Sequence, residues 1–197
     1  MGFVLLDQNP PQPKDLPFSM NPTALLIIYP DGWNEYSITS LAIYLGLPFK
    51  VKYLTQFVFS DIFAEEGLEY KIIVVYYAST LKDVETLKPA SDLKKAILWA
   101  AGKGSTVVVN DFAAYWFQSA LGIRYTRKET SDKNATIRFD DGTRCSADIG
   151  EFGRLYCSND FSGKVYAYAN YDTFTDMIVV AEAPYNQGRF LIVNTAV

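Results

Sequence analysis

The sequence predicts a three-layer α/β fold, with helices on both faces of a mostly parallel sheet, followed by an antiparallel β-rich C-terminal part. Three observations carry this. Uninterrupted apolar runs of strand length, ALLIIY at 24–29 and KIIVVYY at 71–77, end on turn residues, the pattern of strands covered on both faces. Other segments place apolar residues at helical spacing: Ile38, Leu41, Ala42 and Leu45, and later Leu93, Ala96, Ile97 and Ala100. After Arg124 the texture changes to short strands of Tyr, Val, Ile and Phe separated by turn signals.

Taken in order, residues 9–21 hold four of the nine prolines and form an extended lead-in. Residues 1–22 are therefore set apart from a single domain over 23–197, with a β-rich subregion at 124–197. The first strand, 24–29, closes at Pro30-Asp31-Gly32, and the helix over 34–45 stops at Gly46. Phe49, Val51 and Tyr53 alternate with Lys50 and Lys52, which is a strand period. The acidic stretch 60–69 reads as a loop or a short helix. The strand 71–77 ends at Ala78-Ser79-Thr80, and a helical turn over 83–88 leads to a helix that starts at Pro89-Ala90-Ser91, with Gly102 just past its end. Residues 106–109 form the fourth strand. A helix over 112–121 turns Phe112, Ala113, Trp116, Phe117, Ala120 and Leu121 inward, with Gly122 as its cap. Turns follow at Asp140-Asp141-Gly142, Asn159-Asp160, Ser162-Gly163 and Asn186-Gln187-Gly188. Segments 177–182 and 189–194 make a terminal hairpin that extends the main sheet.

Composition narrows the function. The net charge is −4, the pI is about 4.9, and no basic run exceeds two residues, so the electrostatic footprint of a nucleic-acid binder is missing. The chain contains no histidine, which excludes Ser-His-Asp or Cys-His catalysis within it. Cys145 and Cys157 either cross-link neighbouring strands or stay as buried thiols. With Asp148 and Glu151 beside them they still fall short of the roughly four N/S ligands of a zinc site. No metal or cofactor is expected. Asn134-Ala135-Thr136 matches the glycosylation pattern and is expected in a polar stretch. No apolar segment reaches the ~18 residues needed to span a bilayer, and the N-terminus lacks the basic and apolar regions of a signal peptide.

Aromatic residues make up 15% of the chain, with 14 Tyr and 13 Phe, a supply that serves either the core or contacts to sugar and protein. Strand ends at Asp31, Ser79 and Asn110-Asp111 would line the crevice where open α/β sheets bind ligands. Two carboxylates there serve acid/base chemistry or a cation, or else Asp111 caps the following helix and Asp31 stabilises a turn. Trp33 and Tyr115 lie near the same edge and offer rings to a sugar; Trp116 has the spacing of a core residue. Glu65, Glu66 and Glu69 make a solvated acidic loop. Tyr166, Tyr168 and Tyr171 form a cross-strand aromatic ladder or a binding platform.

The strings ALLIIYPDG, GLPFKVKYL, YKIIVVYY, GKGSTVVVN and SALGI, in this order over residues 24–123, resemble the class I glutamine amidotransferase-like fold. The closing VVAEAPYNQGRFLIVNTAV looks like the terminal hairpin of its non-catalytic relatives. This resemblance implies a flavodoxin-like strand order. Catalytic members carry a cysteine nucleophile flanked by glycines after the TVVV-type strand, served by a histidine. The equivalent position here falls close to Asp111, without flanking glycines, and there is no histidine to serve it. The resemblance is therefore to non-catalytic modules, found in glycosidases, in trehalose-utilisation-like proteins and at the N-terminus of some polysaccharide deacetylases. YLGLPFKVKYL is similar to the corresponding stretch of the deacetylase-linked modules.

The expected function is a non-catalytic carbohydrate-binding or interaction module of a larger cell-surface or extracellular protein. Its partner would be carbohydrate or a neighbouring domain, with oligomerisation left open. Asp31, Trp33, Asn110, Asp111 and Tyr115 are the expected ligand-binding residues. The alternatives are a hydrolase using Asp31 and Asp111, with or without a divalent cation, and a purely structural oligomerisation subunit.

Overall fold

The computed structural model describes residues 24–29, 49–53, 56–62, 70–75, 88–121, 126–129, 134–148, 154–157, 161, 163–171 and 175–193. The predicted helix over 34–45 and the lead-in 1–22 lie outside the described residues. The first half supplies strands β1 (Ala24–Tyr29), β2 (Phe49–Tyr53), β3 (Tyr70–Val75) and β4 (Thr106–Asn110), with helices α1 (Lys88–Gly102) and α2 (Asp111–Leu121). Among the described residues the second half contributes strands alone: β5 (Thr126–Glu129), β6 (Asn134–Phe139), β7 (Arg144–Asp148), β8 (Arg154–Cys157), β9 (Lys164–Asn170), β10 (Met177–Tyr185) and β11 (Gly188–Val193).

These strands form one nine-stranded sheet in the order β2-β1-β3-β4-β11-β10-β9-β6-β7, and β5 pairs with β8 in a separate two-stranded sheet. From β2 to β11 every neighbour is parallel; from β11 to β7 every neighbour is antiparallel. The order 2-1-3-4 with β11 in fifth place is flavodoxin-like. Apart from β5 and β8, the β-rich C-terminal part is thus the continuation of the same sheet, and the β10–β11 hairpin is the joint.

Register explains the core. Ile28, Val75, Val109, Ile192 and Ala181 are direct neighbours across five strands, and Ile73, Val107, Phe190 and Ala183 make a second row on the same face. All nine are buried. The helices close over these rows, because Leu93, Ala96, Ile97 and Ala100 of α1 and Ala113, Ala114 and Phe117 of α2 belong to the same buried cluster. Phe117 and Phe190 lie 5.1 Å apart between ring centroids, and half-buried Trp116 packs on Phe117 at 5.2 Å, which makes Trp116 a core residue. Burial of each large apolar side chain contributes about 1.5–3 kcal/mol. Farther along the sheet, Ala135, Ile137, Ala167, Ala169, Tyr171, Met177 and Val179 form a second, smaller core.

Two turns fix the joint. Gly102 is the last residue of α1, and the left-handed position expected of a helix-ending glycine belongs to Gly104 at φ 109. Its N–H donates to the Ala101 carbonyl and that of Ser105 to the Ala100 carbonyl, both at 3.1 Å, which is a Schellman closure. The β10–β11 turn then seats on this helix end, so that a Cβ on Gly188 would fall on the backbone carbonyls of Ala101 and Ser105. At the other end of the sheet, buried Asp61 of the 3-10 turn Phe59–Ile62 accepts the Val58 N–H at 2.9 Å and pairs with Lys52 of β2 at 2.8 Å.

The cysteines occupy different sheets, Cys145 on β7 and Cys157 on β8, so the predicted cross-link between neighbouring strands does not arise from pairing. Cys145 is a free thiol and is exposed rather than buried. The glycosylation pattern at Asn134-Ala135-Thr136 lies inside β6, a strand paired on both sides.

Candidate functional site

The strand-to-helix elbow singled out by the sequence exists. β4 ends at Asn110, paired in register with Val193 of β11, and α2 starts at Asp111 with no residue between. Asp111 therefore occupies the first turn of α2, where a carboxylate is favoured by the positive end of the helix. Tyr115 follows one turn later on the same helix. For Asn110, Asp111 and Tyr115 the description extends to backbone placement, and Asp31 and Trp33 lie outside the described residues, as do Ser79, Glu65, Glu66 and Glu69.

A second constellation lies on the sheet face opposite the helices. In β9 the half-buried Tyr166 and Tyr168 alternate with buried Ala167 and Ala169. In β10 Glu182 alternates with buried Ala181 and Ala183, and in β11 Arg189 precedes buried Phe190. Strand alternation thus sends the polar set to one face and the small apolar set to the core. Tyr166 Oη donates to Glu182 Oε2 at 2.9 Å, and Arg189 Nη1 lies 3.5 Å from the same oxygen. Arg189 Nε in turn donates to Thr106 Oγ1 of β4 at 3.2 Å.

Beside this chain, Arg138 of β6 is directly opposite Tyr168 and lies over its ring at 5.2 Å, while its Nη2 pairs with Asp176 at 2.9 Å. The Lys164 ammonium lies 4.3 Å from the centre of the Tyr166 ring and 4.0 Å from Asp140. Tyr166 and Tyr168 accordingly each sit beneath a cation. Tyr171 departs from the expected ladder and turns into the second core. The result is a sheet face that carries two aromatic rings among donors and acceptors linked to one another by hydrogen bonds and ion pairs. Such a face can bind a polyhydroxylated ligand, with ring faces against C–H groups and charged groups against hydroxyls.

Sequence reading missed Glu182, Arg189, Arg138 and Thr106. The signal was present at Glu182, a lone carboxylate inside the apolar strand MIVVAEAPY. A third surface, also not foreseen, carries Val58, Phe59 and Trp99, all exposed, with the Phe59 and Trp99 rings edge to face at 6.4 Å and Lys103 5.9 Å from the Trp99 ring. Among the described residues no group of three or more His, Cys, Asp or Glu side chains is placed to hold a metal ion, and no helix is long and apolar enough to cross a membrane.

No family model and no curated protein matches the sequence. Solved structures do match. The carbohydrate deacetylase Agd3 is 14% identical with a TM-score of 0.63, over 87% of this chain and 29% of that one. The GH42 β-galactosidase Gan42B of G. stearothermophilus is 11% identical with a TM-score of 0.56, over 88% of this chain and 27% of that one. PurLQS of Thermotoga maritima is 12% identical with a TM-score of 0.57, over 87% of each chain. The chain thus spans less than a third of the deacetylase and of the β-galactosidase. At these identities the likeness is one of fold, and that fold occurs in carbohydrate-active proteins and in PurLQS.

Proposed function

We propose that this chain is a non-catalytic module of the amidotransferase-like fold, part of a larger cell-surface or extracellular protein, that binds carbohydrate through the Tyr166–Tyr168 face. The observation that carries the reading is the convergence of two half-buried rings with the Tyr166–Glu182–Arg189–Thr106 chain and the Arg138–Asp176 pair on one sheet face. Neighbours named as a carbohydrate deacetylase and a β-galactosidase, each matched over only part of its length, support the setting. The missing histidine and the non-cysteine elbow at Asp111 support binding rather than turnover.

The test is isothermal titration with galacto-, gluco- and manno-oligosaccharides and with a deacetylated amino-sugar oligomer. Binding at a Kd of about 1 mM or tighter by at least one class is expected, weakened about tenfold or more by Tyr168→Ala and by Glu182→Gln. Absence of heat for every class at about 10 mM sugar, or equal affinity in both variants, would contradict the reading.

A further inference from the structure

Strand β7 ends the nine-stranded sheet, and among the described residues its outer edge has no partner strand. Its side chains are exposed from Arg144 through Ser146. An unpaired edge offers a row of backbone N–H and C=O groups as a template for another strand. Hydrogen-bond alternation tells which residues make that row. The Phe139 N–H donates to the Thr143 carbonyl at 2.9 Å, and Ile137 and Ala135 stand opposite Cys145 and Ala147. Bonded and non-bonded pairs alternate along an antiparallel ladder, so Cys145 and Ala147 bond to β6. Arg144, Ser146 and Asp148 turn their backbone groups outward.

Read outward, the edge is therefore Arg, Ser, Asp, which is complementary to itself when reversed. Arg144 also has a reason to seek a carboxylate. It stands opposite Arg138, whose guanidinium is engaged by Asp176 and Tyr168, and it has no carboxylate partner among the described residues.

We propose that β7 pairs antiparallel with β7 of a second copy of this chain, centred on Ser146, joining two sheets into one. In that register Arg144 lies opposite Asp148 of the second copy, and Ser146 lies opposite its counterpart. All three outward-facing residues meet one another, giving about six interchain backbone hydrogen bonds. A shift by two residues in either direction loses both charge pairs, and parallel pairing sets like charges together. Five residues per strand bury less than the roughly 1,200 Å2 of a permanent interface, so the pairing is a weak, concentration-dependent one. The proposal does not rest on the sugar-binding reading, because the pairing uses the edge of β7 that faces away from β6 and β9.

Sedimentation velocity on the full chain tests it. A monomer–dimer equilibrium is expected, weakened about tenfold or more by Arg144→Glu and by Asp148→Arg, and restored when both are combined, since the double exchange is again self-complementary. Register is read separately in a Cys157→Ser background. Cys145 lies opposite Ala147 of the second copy in a non-bonded pair, a spacing that suits a disulfide. Mild oxidation of the Ala147→Cys chain should give a covalent dimer at least about tenfold faster than a Thr143→Cys control, which is out of register. A chain that stays monomeric at about 1 mM overturns the proposal. So does a dimer indifferent to both charge reversals, and so does cross-linking no faster than in the control.

Discussion

Asp141 shows how much a single exposed side chain can do for an edge. In the β6–β7 turn its Oδ1 accepts the Thr143 N–H at 2.8 Å, and Gly142, at φ 87, donates to the Phe139 carbonyl at 3.1 Å. The hydrogen bonds from the Thr143 backbone and side chain hold the Asp141 carboxyl below its ordinary pKa, against a smaller opposing effect of desolvation. A carboxylate depressed on folding contributes stability that is fully present above its unfolded pKa and is lost as the pH falls through its folded one. Asp141→Ala should therefore lower stability at neutral pH. Its denaturation midpoint should converge on that of the parent protein as the pH drops below the ordinary aspartate range. A gap that persists at low pH would show that the carboxylate charge is not what matters. The depressed titration was not foreseeable from the sequence, since Asp140-Asp141-Gly142 announces a turn without saying which aspartate bonds to its backbone.

At the scale of elements, the parallel half was legible because a strand covered on both faces leaves a continuous apolar string. β1 and β2 match the expected segments end for end, and β4 runs one residue farther. The α1 face was equally clear, since Leu93, Ala96, Ile97 and Ala100 are all buried as the 3.6-residue period requires. The helix end was not. Gly102 and Gly104 are both plausible stops in GKGS, and the choice is made by the Gly188 turn, which docks from 84 residues away by number and needs the backbone carbonyls of Ala101 and Ser105 close at hand. Gly188→Ala should destabilise the protein by about 1–3 kcal/mol in chemical denaturation, because the collision is with backbone and cannot be relieved by a rotamer change. An unchanged midpoint would mean that the hairpin seats differently.

The whole molecule is one sheet that changes character in the middle. The sequence signals both halves, parallel and antiparallel, and a terminal hairpin that extends the main sheet, but not that β9, β6 and β7 continue that sheet beyond it, because strand adjacency across such distances is set by packing rather than by local pattern. The same limit applies to the face proposed for binding. A crevice at the ends of consecutive strands can be read from turns such as Pro30-Asp31-Gly32 and Asn110-Asp111. A face built from Arg138, Tyr166, Tyr168, Glu182, Arg189 and Thr106 needs four strands of the second half and one of the first to be in register.

These two locations give opposite expectations for a single measurement: the amide and aromatic NMR shifts of the labelled chain as an oligosaccharide is added. Shifts concentrated on Tyr166, Tyr168, Glu182 and Arg189 are predicted. Shifts centred on Asn110, Asp111 and Tyr115, with the β9–β11 face silent, would contradict the account.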